Sequence, residues 1–247
     1  DVYKRQVSAS VNKGGKILVA RNCHKAVYHA LYLRELQPVY IYPHEDQRLG
    51  INGGISPERV ERYLEENTDV QAFLLTSPTY DGVVSDIKTI AEVVHRHKIP
   101  LIVDEAHGAH LHYSKYFPVS AADLGADIVI QSFHKTLPSM TQTAVLHICS
   151  DMADVEKIKR FMGIYQTSSP SYILMASMDA CMDKLRKDGQ QMFREFTFNL
   201  ERARQRLSKC EKIKLIEGSM IEGSGIYDFD RSKLCLLYTS PSPRDRG

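Results

Sequence analysis

Ser132-Phe133-His134-Lys135, taken together with the earlier run Val103-Asp104-Glu105-Ala106-His107, decides the fold. Each begins where a short apolar run stops: Ile99 to Val103 before the first carboxylate, Ala126 to Gln131 before Ser132. Apolar runs of this length without alternation belong to strands buried on both faces, as in a parallel sheet covered by helices. In such sheets ligands bind at the carboxyl ends of the strands. Asp104 and Lys135 are therefore expected to leave neighbouring strands and to face one ligand.

The rest of the chain fits that frame. Lys16 to Ala20 reads as a strand, followed by Arg21-Asn22-Cys23-His24 and a helix whose apolar face holds Ala26, Val27, Ala30, Leu31 and Leu33. Val39 to Tyr42 is a second strand, and Gly50, Gly53 and Gly54 mark a loop. Ser56-Pro57-Glu58 opens a helix with an N-cap and a proline in its first turn. Val70 to Thr76 is a buried strand leading into Ser77-Pro78-Thr79-Tyr80-Asp81-Gly82, and Asp86 to Lys98 is the next helix. Thr143 to Cys149 is a further strand. Helices are expected over Asp151 to Phe161 and from Ser171 to near Lys209, the latter with a candidate break at Lys187-Asp188-Gly189. Lys212 to Glu217 and Gly225 to Phe229 read as the first strands of a smaller unit.

The fold class is thus α/β, a mostly parallel, mixed sheet sandwiched by helices, with the start of a small α+β domain. Residues 7–170 are expected to form the large domain, 171–209 a connecting helix and 210–234 the start of the second unit. Residues 1–6 and the Ser/Pro/Arg-rich stretch 235–247 look unrelated to the intervening sequence and are expected to be non-native ends.

Composition narrows the function classes. Among 247 residues, 43% are hydrophobic and 25% charged, ordinary for a globular protein, and a net charge of +2 is too small for a nucleic-acid footprint. Cys23, Cys149, Cys181, Cys210 and Cys235 are odd in number and form no CxxC pair, which suits a reducing, cytoplasmic setting. No apolar run approaches the length of a membrane span.

A lone lysine usually lies on a solvated face. Lys135 instead follows a buried strand, beside Ser132 and His134, whose hydroxyl and imidazole suit a phosphate. Desolvation there would lower its pKa and make the amine a nucleophile for a Schiff-base cofactor. Asp104 read blandly caps the following turn; read functionally, it pairs with a ring nitrogen that must stay protonated. Ala106 is small enough for a ring to lie against it. His24, at another strand end, is able to stack on the opposite face, although a histidine at a helix start is more often structural.

Together Arg21–Val27, Ser77–Gly82, Val103–His110, Gln131–Lys135 and Gln166–Tyr172 resemble the ornithine/lysine/arginine decarboxylases, specifically the shorter Gram-positive type. The resemblance extends over roughly residues 7 to 234. These are pyridoxal-phosphate enzymes of the aspartate-aminotransferase fold. The resemblance implies that Lys135 bonds the cofactor, Asp104 pairs with its ring nitrogen, His24 and Ala106 lie on its two faces, and Ser132 and His134 contact the phosphate. It further implies a basic amino acid as substrate, decarboxylated to agmatine or a diamine in polyamine metabolism, and a homodimer or higher homo-oligomer. His107 is expected on the substrate side, Thr79 and Tyr80 in the pocket wall, and Thr167-Ser168-Ser169 near a partner subunit's cofactor. The family's phosphate-cupping Gly/Ser/Thr loop should precede Val7, where this sequence has only the hexapeptide.

Three rival readings are weaker. Asp104-Glu105-Ala106-His107 spells the DEAH box of helicases, but no GxxxxGK[ST] loop precedes it. His107, His110 and His112 form a candidate metal cluster, which would make the chain a metal-binding hydrolase yet leave Lys135 unexplained. Another pyridoxal-phosphate reaction on the same fold, transamination or elimination, shares the Lys–Asp pair.

Overall fold

The structure is a computed structural model that describes residues 2–46, 49–210, 213–216, 218–221 and 225–238. The chain runs through α1 (Val2–Ser10), β1 (Lys16–Ala20), α2 (Lys25–Leu33), β2 (Gln37–Ile41), β3 (Glu45–Asp46), β4 (Ile51–Asn52), α3 (Pro57–Glu66), β5 (Val70–Thr76), β6 (Val83–Val84), α4 (Ile87–Arg96), β7 (Leu101–Asp104), β8 (Ile128–Gln131), α5 (Phe133–Thr136), β9 (Val145–Ile148), α6 (Val155–Tyr165), α7 (Tyr172–Leu207), β10 (Ile213–Leu215), α8 (Gly218–Ile221), β11 (Asp228–Phe229) and β12 (Leu236–Tyr238).

Six strands form the main sheet in the order β2-β1-β5-β7-β8-β9, all parallel except β9, which runs antiparallel to β8. The mixed sheet agrees with the sequence reading. Its central strands are largely apolar because both faces are covered. Leu18, Phe73, Leu75, Leu101, Val103 and Val129 pack with Val60 and Leu64 of α3 and Ile90 and Val94 of α4. Ile17, Val19, Leu74, Ile102, Ile128 and Ile130 alternate with them and pack against Val7, Val27, Leu31 and Ile158 from α1, α2 and α6. Each such side chain, fully buried, contributes roughly 1.5–3 kcal/mol of transfer free energy.

β2 lies on one side of β1 and β5 on the other, so the sheet's direction of growth reverses at the end of β1. That is where open α/β sheets leave a crevice for a ligand. Local chemistry starts the helices: Ser56 accepts from Arg59 N, the cap expected of it, while Asp86 and Ser171, expected as first helical residues, cap by accepting from Thr89 N and Leu174 N.

Several elements differ from expectation. α7 runs unbroken through Lys187-Asp188-Gly189, because its buried stripe of Cys181, Leu185, Gly189, Phe193 and Leu200 continues across that point. Tyr113 stacks on Phe193 with ring centroids 5.1 Å apart, and packing of this kind outweighs the roughly 1 kcal/mol cost of one helical glycine. α6 begins and ends four residues later than expected, since Asp154 rather than Asp151 supplies the cap by accepting from Lys157 N. The Gly50–Gly54 region contains β4, paired antiparallel with β3. Residues 2–6 continue the helix that holds Val7, and Gln6 is fully buried.

The expected strands of the smaller unit also divide. β10 pairs with β12, while β11 pairs antiparallel with β6, at the loop following β5. The ends of the expected strand Lys212 to Glu217 lie outside the described residues.

Candidate active site

Four parallel strand ends define the site. Asp104 closes β7, in register with Thr76 of β5 on one side and Ile130 of β8 on the other. Ser132 and Lys135 follow β8, Thr79 follows β5, and His24 follows β1.

Asp104 is 2% exposed, and its Oδ1 accepts the Ala106 backbone N–H at 3.1 Å. The bland reading of Asp104 as a turn cap is therefore true as well, and the capping bond fixes the carboxylate's orientation. Lys135 lies on the short helix α5, and its Nζ is 3.1 Å from His107 Nε2. Burial lowers the lysine's pKa, opposed by the Asp104 charge and reinforced by Lys233. Burial, then the Lys135 charge, pushes His107 down to about 4, so its imidazole is neutral near pH 7 and Lys135 donates to it. The ring of Tyr80, itself exposed, meets His107 edge-on at 5.7 Å.

The remaining expected residues are placed as follows. Ala106 is buried beside Asp104. His24 caps α2, its Nδ1 accepting from Ala26 N at 3.2 Å, and burial followed by the Lys135 charge lowers its pKa. Ser132 is buried at the start of α5 and makes no side-chain capping bond there. His134 Nδ1 donates to the Thr143 carbonyl at 2.9 Å. Thr79 Oγ1 accepts from Val83 N at 3.1 Å, which closes the turn that carries Tyr80. Thr167, Ser168 and Ser169 lie in the exposed linker before α7.

The three histidines of the rival metal reading go to different partners. His107 faces Lys135, buried His110 donates through Nε2 to Asp230 Oδ1 at 3.3 Å, and exposed His112 pairs with Asp123 at 3.1 Å. Among the described residues, no group of three or more His, Cys, Asp or Glu side chains is arranged to hold a metal ion.

Two features escaped the sequence reading. Glu105, between Asp104 and Ala106, is 1% exposed and accepts from Ser120 Oγ at 2.7 Å, Ala121 N at 2.7 Å and Gln131 Nε2 at 2.6 Å. His147 Nε2 in turn donates to Gln131 Oε1 at 3.1 Å. This network ties β7 to β8 directly behind the site. The other is the turn Asp230 to Lys233, which brings Ser232 and Lys233 to a cavity of about 460 Å³ that Lys135 also lines. Nothing local in the sequence marks that approach.

A family model described as "Orn/Lys/Arg decarboxylase, major domain" matches residues 3–234. This chain belongs to that family. The arginine decarboxylase of Bacillus subtilis is 34% identical over 234 residues, covering 95% of this chain and 48% of that protein. The chain thus spans about half the length of the arginine decarboxylases that it matches. Among solved structures, the constitutive lysine decarboxylase of E. coli superposes with a TM-score of 0.71 at 24% identity, covering 87% of this chain and 32% of that one. A PLP-bound protein from Clostridium difficile superposes with a TM-score of 0.66 at 13% identity, covering 87% and 57%. The family's fold is therefore this chain's fold, and the helicase reading is excluded. Among the described residues, no helix is long and apolar enough to cross a membrane.

Proposed function

We propose that the protein decarboxylates a basic amino acid with the help of pyridoxal phosphate, with Lys135 as the residue that bonds the cofactor. The observation that carries this reading is the convergence of Lys135, Asp104 and His107 at two adjacent strand ends. The donor set fits the group: a buried carboxylate, a lysine with a lowered pKa, and a small buried residue, Ala106, bonded through its N–H to that carboxylate.

When bound, the cofactor supplies an electron-accepting ring for the bond that breaks as CO2 leaves. The chain's own residues do the rest. Burial favours the neutral, nucleophilic amine of Lys135. The Asp104 carboxylate would keep a proton on the ring nitrogen, and the Ala106 N–H holds that carboxylate in place. His24 and Ala106 would cover the two faces of the cofactor's ring, Ser132 and His134 would take its phosphate, and Thr79 would shape the wall beside it. His107, neutral and within hydrogen-bond reach of Lys135, passes a proton between that amine and the substrate carbon.

The arginine decarboxylases among the relatives favour arginine as the first substrate to test, with lysine and ornithine next. Agmatine or a diamine would be the product, serving polyamine metabolism in the cytoplasm. The exposed Tyr172, Ile173 and Met175 at the start of α7 support a homodimer in which a second copy covers them.

The test is to load the full-length protein with pyridoxal phosphate, reduce it with borohydride and map the modified peptide by mass. A phosphopyridoxyl group on Lys135, missing from Lys135→Ala, together with CO2 and amine release from a basic amino acid, is expected. Absence of the label from the wild-type protein overturns the reading.

A further inference from the structure

The cavity beside Lys135 is walled by Leu137, Phe193 and Phe196 and by Ser232 and Lys233. Its ionisable lining is basic: Lys135 and Lys233 with His110, and no carboxylate. Asp230 is close but its carboxylate is engaged, since its Oδ1 accepts from His110 and from Ser232 N at 2.9 Å and its Oδ2 from Ser232 Oγ at 2.8 Å. Once Lys135 is bonded to a cofactor, Lys233 is the ammonium that remains on this wall.

Lys233 is held in position. Its backbone N–H donates to Asp230 O at 3.0 Å, and Asp230 N donates to Gly82 O at 2.7 Å. Arg204, buried in the last turn of α7, donates to the carbonyls of Lys233 at 3.2 Å, Arg231 at 3.1 Å and Ile216 at 2.8 Å. The stem rests on Gly82, where an added Cβ would come within 2.9 Å of Lys233 Cγ. Among the described residues, no carboxylate lies within ion-pair distance of its Nζ. A free surface lysine would need none of this support, and a half-buried lysine lining a cavity that has no carboxylate on its wall is suited to receive an anion.

We propose that Lys233 receives the α-carboxylate of the amino-acid substrate. The inference rests on the decarboxylase reading and adds the residue that separates substrate from product. The substrate carries the carboxylate and the amine product does not, so Lys233 discriminates between them. The carboxylate's charge vanishes as CO2 forms, so the contact is stronger before bond breaking than during it and serves binding rather than turnover.

The experiment uses full-length holoenzyme, once borohydride labelling of a separate sample has located pyridoxal phosphate on Lys135. Failure at that labelling step would be a failure of the decarboxylase reading and not of this one. Binding of the amino acid and of its decarboxylated amine is then measured from the absorbance of the bound cofactor. Lys233→Met is expected to raise the dissociation constant of the amino acid by roughly 10- to 100-fold, the range for losing a charged hydrogen bond. The amine's constant should stay within about twofold and kcat should not fall by more than about threefold. Lys233→Arg should recover most of the amino-acid affinity. Equal effects on both ligands, or no effect on either, overturn the proposal. So does loss of pyridoxal phosphate affinity with pyridoxal affinity retained, which would give Lys233 to the cofactor's phosphate. If Lys233→Met does not fold, Lys233→Gln takes its place, and the same changes in the two constants support or overturn the proposal.

Discussion

Replacing Glu105 by Gln removes a charge from the core without removing the side chain, and its effect should depend on pH. Burial pushes the Glu105 carboxyl up from about 4.5 to about 7, against the hydrogen bonds from Ala121, Gln131 and Ser120 and with the Asp123 charge adding to the rise. A carboxyl raised in the fold contributes stability that is complete below its unfolded pKa and is lost as pH rises through the folded one. At pH 5 the wild-type residue is mostly neutral when folded, as Gln always is. At pH 8 it is charged in both states and bears the cost of burial. One pKa unit corresponds to about 1.4 kcal/mol, so the stability of wild type relative to Glu105→Gln should fall by about 2–3 kcal/mol between pH 5 and pH 8. Urea unfolding of both proteins at the two pH values measures this as a double difference, in which every other titrating group cancels. A change under about 0.5 kcal/mol would refute the claim that Glu105 is raised by burial.

Two further outcomes test the site without cofactor. Gly82→Ala places a Cβ at φ +105°, 2.9 Å from Lys233 Cγ and 3.1 Å from Phe229 Cζ, and should destabilise the protein by about 1–3 kcal/mol. A melting temperature unchanged within error would mean that the turn at Lys233 is not seated as described. His107 should titrate by NMR with a midpoint below 5, and Lys135→Met should move that midpoint upward, because the lysine's charge is the second cause of its depression after burial. A midpoint at or above 6.5 would show that His107 is not buried against Lys135.

The strand ends were legible because both faces of the sheet are covered, which turns β5, β7 and β8 into largely apolar runs that stop at Thr76, Asp104 and Gln131. His24, Asp104 and Lys135 follow such ends, so sequence position alone brought them together. The cap at Ser56 and the helix starts at Asp86 and Ser171 were equally local. Contacts made late in the chain were not legible. Gly189 reads as a helix breaker until Tyr113 is seen against it, 3.8 Å from where its Cβ would be. Glu105 reads as one letter of a motif until Ser120, Ala121 and Gln131 converge on it. The Asp230 turn is polar, short and far from everything else in sequence, and only tertiary packing shows that it walls the site.

The His110–Asp230 bond spans 120 residues, and that separation bears on how the protein is assembled. The neighbouring strands of the sheet meet over short intervals, so the edge carrying Asp104 and Lys135 is able to form before the segment bearing Lys233 has docked. Long-range contacts carry the larger loop-closure entropy and come late in folding. The same segment is then expected to open before the sheet does: it is held by the short pairings of β11 with β6 and β12 with β10, the Arg204 bonds, the His110 clasp and a small apolar cluster around Val83, Ile226 and Phe229, while the sheet has a larger core on each face. Amide exchange at Phe229 and Lys233 should accordingly report an opening that costs less than global unfolding. Loss of this wall would empty the pocket of one cation while the lysine edge stayed folded, making local order in residues 225–238 a separate quantity from the stability of the domain.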